Sequence, residues 1–238
     1  MIRKRLLESR NSGEPDFHWR GHEVTRLEGF TDAVFAFAVT LLVVSLEVPN
    51  TFPELMRVMR GFPAFGACFA LLTNLWYQHY RFFRRYGLES PWVVALNCAL
   101  LFFVLFYVYP LKFLFSATLT LQQFVTQDAR VLFTIYGLGW AAVFLVFVLL
   151  YQYAWKHRNE LQLNALERLR TRASLIANIA MLLVGVISTM IAWLVPPDWM
   201  GLAGYFYFVI PIYFMLEGRR RGRREQLAKS VLADRPAE

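Results

Sequence analysis

Residues 26–48 read RLEGFTDAVFAFAVTLLVVSLEV, an apolar run long enough to cross a bilayer, with charged residues set into its first turns. Asp32 lies inside this run. A carboxylate at the centre of a membrane helix costs roughly 2.5 to 3.5 kcal/mol on insertion scales, so it needs a partner or a function. The stretch therefore indicates the fold class and also where a site should be sought.

The composition is that of a membrane protein. Hydrophobic residues make up 57% of the chain, aromatic residues 17%, and the mean hydropathy is +0.39. Soluble domains are only about 45–50% apolar, so we predict an all-α polytopic membrane protein. The charged N-terminal segment has no apolar core and no cleavage site, and we expect it to stay on the chain. Cys68 and Cys98 both fall in apolar stretches, which argues against a disulfide framework or a zinc site.

Six apolar stretches approach the roughly 20 residues that a spanning helix needs. The predicted spans are Gly29 to Val48, Gly61 to Tyr80, Pro91 to Phe115, Val131 to Trp155, Ala173 to Val195, and Met200 to Leu216. The polar stretch 156–172 has leucines at helical spacing and is expected to extend the fourth or fifth span.

The basic residues predict the orientation. With a cytoplasmic N-terminus, 21 of the 25 Lys and Arg lie on the cytoplasmic side. The positive-inside rule thus places both termini inside and accounts for the net charge of +8 without nucleic acid. We predict a cytoplasmic segment 1–25, a transmembrane domain 26–216, and a basic tail 217–238 that can contact membrane lipids. The expected location is the cell membrane, as a multi-pass protein of a bacterial inner membrane.

The first span carries an apolar stripe above its polar residues. Phe37, Leu41 and Val44 follow helical spacing on one face, with Thr40 at the margin. From periodicity alone such a stripe packs against other helices or lipid. Glu47, near the outer end, is either an ordinary interfacial carboxylate or part of a cation-attracting mouth.

The polar residues below the stripe need partners. Arg26 and Asp32 are too far apart in sequence to pair as i, i+4 neighbours, so each should find a partner on another helix. His79 is expected at the same depth on the second span, because that span runs in the opposite direction. A network of these side chains would satisfy the buried charges, or would simply hold helices together. Thr31 could bond back to its own helix.

The first span resembles that of the bacterial relatives of transmembrane protein 175, the lysosomal potassium channel, whose signature is R-x-x-x-F-S-D. The residues that carry the resemblance are Arg26, Phe30, Thr31 and Asp32, followed by AVFAFAVTLLV. Further matching positions are Trp76, His79, Asn97 and Pro110. The resemblance covers the six-span chain.

The resemblance implies a homotetramer of six-helix subunits whose first helices line a central pore for potassium ions, with no cofactor or bound metal. It implies apolar rings at Phe37, Leu41 and Val44 and a hydroxyl layer at Thr40. No TVGYG-like filter is present in the sequence. Thr31 stands where the signature has Ser, and Phe37 where the family usually has Ile or Leu, which would make a bulkier ring.

Two other functions are left open by the residues. Asp32 and His79 could relay protons in a proton-permeable leak or a proton-coupled transporter. The chain could also be a non-conducting structural or partner-binding membrane protein. Catalysis is not expected, because the spans hold one strong carboxylate and one histidine, with no HExxH or GxSxG motif.

Overall fold

The computed structural model describes residues 17–21, 23–44, 50–119, 126–196, 199, 201–213, 215 and 218. All secondary structure within these residues is helical. The helices are α1 Arg26–Val44, α2 Phe52–Arg60, α3 Phe62–Tyr86, α4 Pro91–Leu119, α5 Thr126–Lys156, α6 Ala165–Leu194 and α7 Gly201–Tyr205, followed by a 3₁₀ turn Phe206–Phe208. The all-α prediction is confirmed.

Three helical segments of the described chain are long and apolar enough to span a membrane. They are Pro91–Pro110, Ala129–Lys156 and Ala165–Leu194, and they match the predicted third, fourth and fifth spans. The segments Phe52–Arg60 and Phe65–Tyr86, which meet at a bend of 44°, would make a fourth span if they act together. The predicted sixth span corresponds to a shorter apolar helix, Gly201–Tyr213.

Helix α1 starts at a reciprocal capping arrangement. The Thr25 hydroxyl accepts a hydrogen bond from the Glu28 backbone N–H at 3.2 Å, and the Glu28 carboxylate accepts one from the Thr25 N–H at 3.0 Å. Two backbone donors that the helix start would leave unpaired are thus satisfied. This fixes the start of α1 at Arg26, five residues before Thr31, which lies on the buried face of the same helix.

Two boundaries differ from the sequence prediction. Helix α2 occupies a stretch predicted to be a loop, and its start is marked by Thr51, whose hydroxyl accepts from the Glu54 N–H at 3.4 Å. Helix α3 runs six residues past Tyr80 to Tyr86 and is followed by Gly87, which has a positive φ of 57°. The extension is favoured because Phe82, Phe83 and Tyr86 are buried, so the arginines between them belong to the helix rather than a loop.

The core is built mainly from aromatic and branched side chains of α3, α4 and α5. Phe82 packs edge-on against Tyr151 with ring centroids 5.2 Å apart, and Phe147 is fully buried. Helix α1 packs against α3 and α4, whereas α6 packs chiefly along α5. The molecule therefore has α1 on one side of the α3–α4 pair, with its other face exposed.

Glycines allow α5 and α6 to approach closely. A Cβ built on Gly137 would lie 2.7 Å from the backbone oxygen of Gly185, and one built on Gly185 would lie 2.6 Å from that of Gly137. Neither position has room for a side chain. Helix α6 itself begins with a capping box in which Asn164 and Glu167 satisfy each other's backbone N–H groups.

Candidate ion pathway and polar network on the first helix

Helix α1 has one buried and one exposed face. The buried side chains repeat every three or four residues and are Glu28, Thr31, Phe35, Ala38 and Leu42, each at most 6% exposed. The exposed positions on the opposite side are Arg26, Phe30, Ala33, Phe37 and Thr40. Such a two-faced helix packs one side into its own subunit and presents the other to an environment outside it.

The predicted constriction residues lie on or beside the exposed face. Phe37 is 56% exposed, and Leu41 is half-buried at the margin of the face. The side chains of Val44 and Glu47 lie outside the described residues. Phe37 is therefore the predicted pore residue with the largest described surface facing away from the subunit.

Thr40 lies exposed one turn from Phe37. Its hydroxyl donates to the backbone oxygen of Ala36 at 2.9 Å. Because the proton points back along the helix, the oxygen lone pairs point outward. An outward hydroxyl oxygen of this kind can coordinate a cation.

Thr31, Asn97 and His79 form a buried chain of hydrogen bonds across three helices. The Asn97 amide nitrogen donates to the Thr31 hydroxyl at 2.9 Å, and Thr31 donates in turn to the Leu27 backbone oxygen at 2.9 Å. The Asn97 amide oxygen faces Nε2 of His79 at 2.8 Å, so that nitrogen is the donor. All three side chains are at most 1% exposed. These hydrogen bonds tie α1, α3 and α4 together.

The hydrogen-bond partner of Asp32 is Trp76 and not His79. The indole N–H of Trp76 donates to the Asp32 carboxylate at 2.7 Å. Trp76 in turn stacks on Tyr80 with ring centroids 5.8 Å apart. Asp32 thus marks a second contact between α1 and α3, at the edge of the exposed face.

Arg26 and Phe30 stand apart from both contacts. Among the described residues, no hydrogen bond or ion pair joins Arg26 to Asp32 or His79. Arg26 lies instead at a cavity of about 440 Å³ that Glu23 and Glu89 also line. Phe30 is 57% exposed on the same side of α1 as Phe37.

No hydrogen bond within the described chain links Asp32 to His79. Trp76 can only donate, and the Asn97 amide is held by its bonds to Thr31 and His79. Asp32 and His79 therefore have separate hydrogen-bond partners. The described residues also contain no group of three or more His, Cys, Asp or Glu side chains that could hold a metal ion.

Sequence reasoning undervalued two positions. From the sequence, Asn97 was recognised only as a position that matches the family, yet it is the centre of the Thr31–His79 chain. Glu28 was grouped with the charged residues of the first turns, whereas it caps the helix. The Thr25-x-x-Glu28 spacing, which is typical of a capping box, was the sequence signal that could have identified the role of Glu28. No local pattern distinguishes Asn97, since its partners lie 18 and 66 residues away.

An all-helical chain with long apolar segments and a buried polar network among its first helices is a polytopic membrane protein. Its relatives give the family. A sequence model described as endosomal/lysosomal potassium channel TMEM175 matches residues 26–107. A protein named potassium channel from Marivirga tractuosa is 38% identical over 243 residues, which cover 94% of this chain and 98% of the relative. The chain belongs to the TMEM175 family, which comprises channels and not enzymes.

A second relative and two solved structures agree. A potassium channel from Chamaesiphon minutus is 29% identical over 143 residues, covering 57% of this chain and 66% of that protein. The crystal structure of a variant of the potassium channel MtTMEM175, in complex with a nanobody fusion, has a TM-score of 0.77 at 38% identity. It covers 88% of this chain and 98% of that one.

The crystal structure of a lysosomal potassium-selective channel TMEM175 homolog from Chamaesiphon minutus has a TM-score of 0.57 at 25% identity. The match covers 80% of this chain and 95% of that one. The resemblance inferred from the first span is therefore confirmed along most of the chain. The family match at 26–107 includes the two faces of α1, Asp32 with Trp76, and the Thr31–Asn97–His79 chain.

Proposed function

We propose that this chain is a potassium-selective cation channel whose constriction is formed by apolar side chains of α1. The observation that carries the proposal is that one face of α1 is exposed. The chain also belongs to a family of potassium channels. A helix that buries one side completely leaves Phe37 56% exposed on the other. Four such faces around one axis would enclose a path that resists water and ions until it widens.

The subunit arrangement that fits this proposal is a homotetramer with α1 of each subunit at the centre. Each subunit crosses the membrane six times with both termini in the cytoplasm, and the protein resides in the bacterial inner membrane. The strong bias of Lys and Arg to one side of the six apolar stretches supports the orientation. The wide exposure of α1 in the isolated subunit supports assembly around it.

Within this pore, Phe37, Leu41 and Val44 supply the apolar rings and Thr40 the hydroxyl layer. The outward lone pairs of Thr40 support a role in coordinating a partly dehydrated potassium ion. The residues Thr31, Asp32, Trp76 and His79 set the position of α1 rather than contacting the ion. Arg26 and Phe30 complete the same motif at the start of the helix. Potassium is the permeant species, and the proposed mechanism requires no cofactor.

Single-channel recording of the purified protein in planar bilayers tests the function. With potassium on one side and sodium on the other, the reversal potential is expected to shift toward the potassium equilibrium potential. A reversal potential near zero would contradict potassium selectivity. The same protein in liposomes separates the channel from a transporter: potassium flux is expected without a proton gradient, and flux that requires one would refute the channel.

A further inference from the structure

The segment just before α1, residues 17–21, is held in place although it is not helical, and we call it the strap. The backbone N–H groups of Arg20 and Gly21 both donate to the Arg84 carbonyl at 3.1 Å, and the Arg84 guanidinium donates to the Gly21 carbonyl at 3.1 Å. A Cβ on Gly21 would lie 2.7 Å from the Phe83 carbonyl oxygen. The strap is thus pressed onto the end of α3.

The Arg20 side chain joins the strap to the α5–α6 connection. Its Nε donates to the Leu161 carbonyl at 2.7 Å and its guanidinium also reaches the Gln162 carbonyl at 3.3 Å. It forms an ion pair with Glu167 at 2.9 Å, with the two side chains only 16% and 1% exposed. A guanidinium with this many partners is a fixed connection rather than a solvated charge.

Glu167 serves both α6 and the strap. One carboxylate oxygen accepts from the His18 backbone N–H at 2.8 Å, and the other completes the α6 capping box by accepting from the Asn164 N–H at 2.9 Å. The same carboxylate therefore starts α6 and holds the strap. Any displacement of the α6 start moves the acceptor on which the strap depends.

Phe17 anchors the other end of the strap. It is 3% exposed, lies edge-on to Tyr86 with ring centroids 6.0 Å apart, and has the Arg85 guanidinium 5.0 Å from its ring centre. A buried aromatic ring beside a cation is favourable by about 0.5 to 2 kcal/mol. The strap is consequently fixed at both ends.

The strap leads directly into the proposed pore helix. Only three residues lie between Gly21 and Thr25, the capping residue of α1, so four Cα–Cα steps join them. Such a connection spans at most about 14 Å, at up to 3.6 Å per residue. Since α1 packs against α3 and α4 while α6 packs along α5, the strap links the start of α1 to a different part of the bundle.

We propose that Arg20 is a positioning residue of the conduction pathway, which couples the start of α6 to the start of α1 through its ion pair with Glu167. The proposal rests on the channel function proposed above. With the pair intact, the strap holds one arrangement of α1. When the pair breaks, the start of α1 is released, and the balance between closed and open pores changes while the pore lining stays the same.

The test compares R20Q, E167Q and the double variant with the wild type in potassium single-channel recordings. The matched control is R168Q, because Arg168 is a neighbouring arginine whose side chain, among the described residues, donates to Leu163 and Asn159 and not to the strap. We expect each single variant to change the open probability at least about fivefold, within the range of energetic coupling between sites. We expect the unit conductance to stay at the wild-type value. The open probability of R20K should fall between those of R20Q and the wild type, and that of the double variant should equal those of the single variants.

Open probabilities equal to those of R168Q, or effects that add in the double variant, would overturn the coupling.

Trypsin cleavage after Arg20, followed by mass spectrometry, tests the strap without relying on conduction. E167Q is expected to be cut faster there than R168Q, because a released segment is more readily cleaved. Equal rates would overturn the strap. A wild type without potassium current would instead refute the channel function and the gating role, whatever the cleavage rates.

Discussion

The side-chain amide of Asn97 uses both of its ends: the nitrogen donates to Thr31 on α1 and the oxygen accepts from His79 on α3. An amide suits this position because it offers a donor and an acceptor without a charge to bury. Asp32, which the sequence presents as the costly acid, sits at the exposed edge of α1 with Trp76 as its donor. The buried polar contacts of α1 are therefore mostly neutral.

Thr31→Val removes the hydroxyl that Asn97 needs and keeps the side-chain volume. The buried amide N–H then lacks its acceptor, which should lower the free energy of unfolding by about 1–3 kcal/mol. Thermal unfolding in detergent measures the change. An unaltered midpoint would mean that Asn97 finds another acceptor.

Thr40→Val is the matched substitution on the opposite face of the same helix. Within the described residues its hydroxyl bonds Ala36 of the same helix, and the side chain is exposed, so we expect little change in thermal stability. If the Thr40 oxygen coordinates the ion, the permeability of potassium relative to sodium should fall. A variant with unchanged reversal potentials would remove Thr40 from the selectivity layer.

Phe37→Leu tests the apolar ring. Leucine is smaller than phenylalanine, so four copies around a pore should leave a wider constriction and a higher unit conductance. Phe102→Leu is the control, because Phe102 is 65% exposed but belongs to α4, which is not the proposed pore-lining helix. Currents that rise equally in both variants, or in neither, would argue that Phe37 faces lipid or protein.

At the scale of helices, the sequence predicted the long apolar segments well and their ends less well. Hydropathy located the third, fourth and fifth spans because their apolar runs are uninterrupted. It stopped the second span at Tyr80, since the arginines that follow resemble a loop, although the aromatic residues between them are buried. It missed α2, a nine-residue helix that is too short to be recognised as a span although it carries exposed Phe52, Leu55 and Met59. Helix ends depend on capping and tertiary burial, which average hydropathy does not measure.

The contact between α5 and α6 gives a prediction at this scale. Gly137→Ala places a methyl group 2.7 Å from the Gly185 carbonyl oxygen, so the helices must separate. Overpacking of this kind costs about 1–3 kcal/mol, and the melting temperature in detergent should fall.

Gly66→Ala provides the control for this substitution. It lies in α3 with nothing within 4 Å of its added Cβ, and should leave the melting temperature unchanged or slightly higher. A Gly137→Ala protein as stable as this control would show that the α5–α6 contact adjusts without cost.

At the scale of the whole molecule, the site residues could be named from the sequence only because a short motif matched a known family. Periodicity grouped Phe37 with Leu41, but it could not tell a pore face from a lipid face, since both are apolar. Because the opposite side of α1 is buried within the subunit, the side that carries Phe37 faces something outside the subunit. The apolar pattern of one chain does not specify whether lipid or another subunit forms that environment.

The mass of the purified protein in detergent, corrected for bound detergent, tests the assembly. One chain is 27.8 kDa, and we expect a protein mass corresponding to four chains. A monomer or dimer would exclude a central pore lined by α1. Multi-angle light scattering with refractive-index detection makes the distinction.

The two faces of α1 also bear on how freely this helix can vary in sequence. Substitutions at its inward positions, spaced three or four residues apart, affect the stability of one subunit. Substitutions at the outward positions between them affect the contacts with whatever surrounds that subunit. In a saturation library sorted by the amount of folded protein, tolerance should therefore rise and fall with a period of about 3.6 residues along α1. Variants that survive this sort while losing transport should cluster on the outward positions, so the helix carries two separable sets of selective constraints.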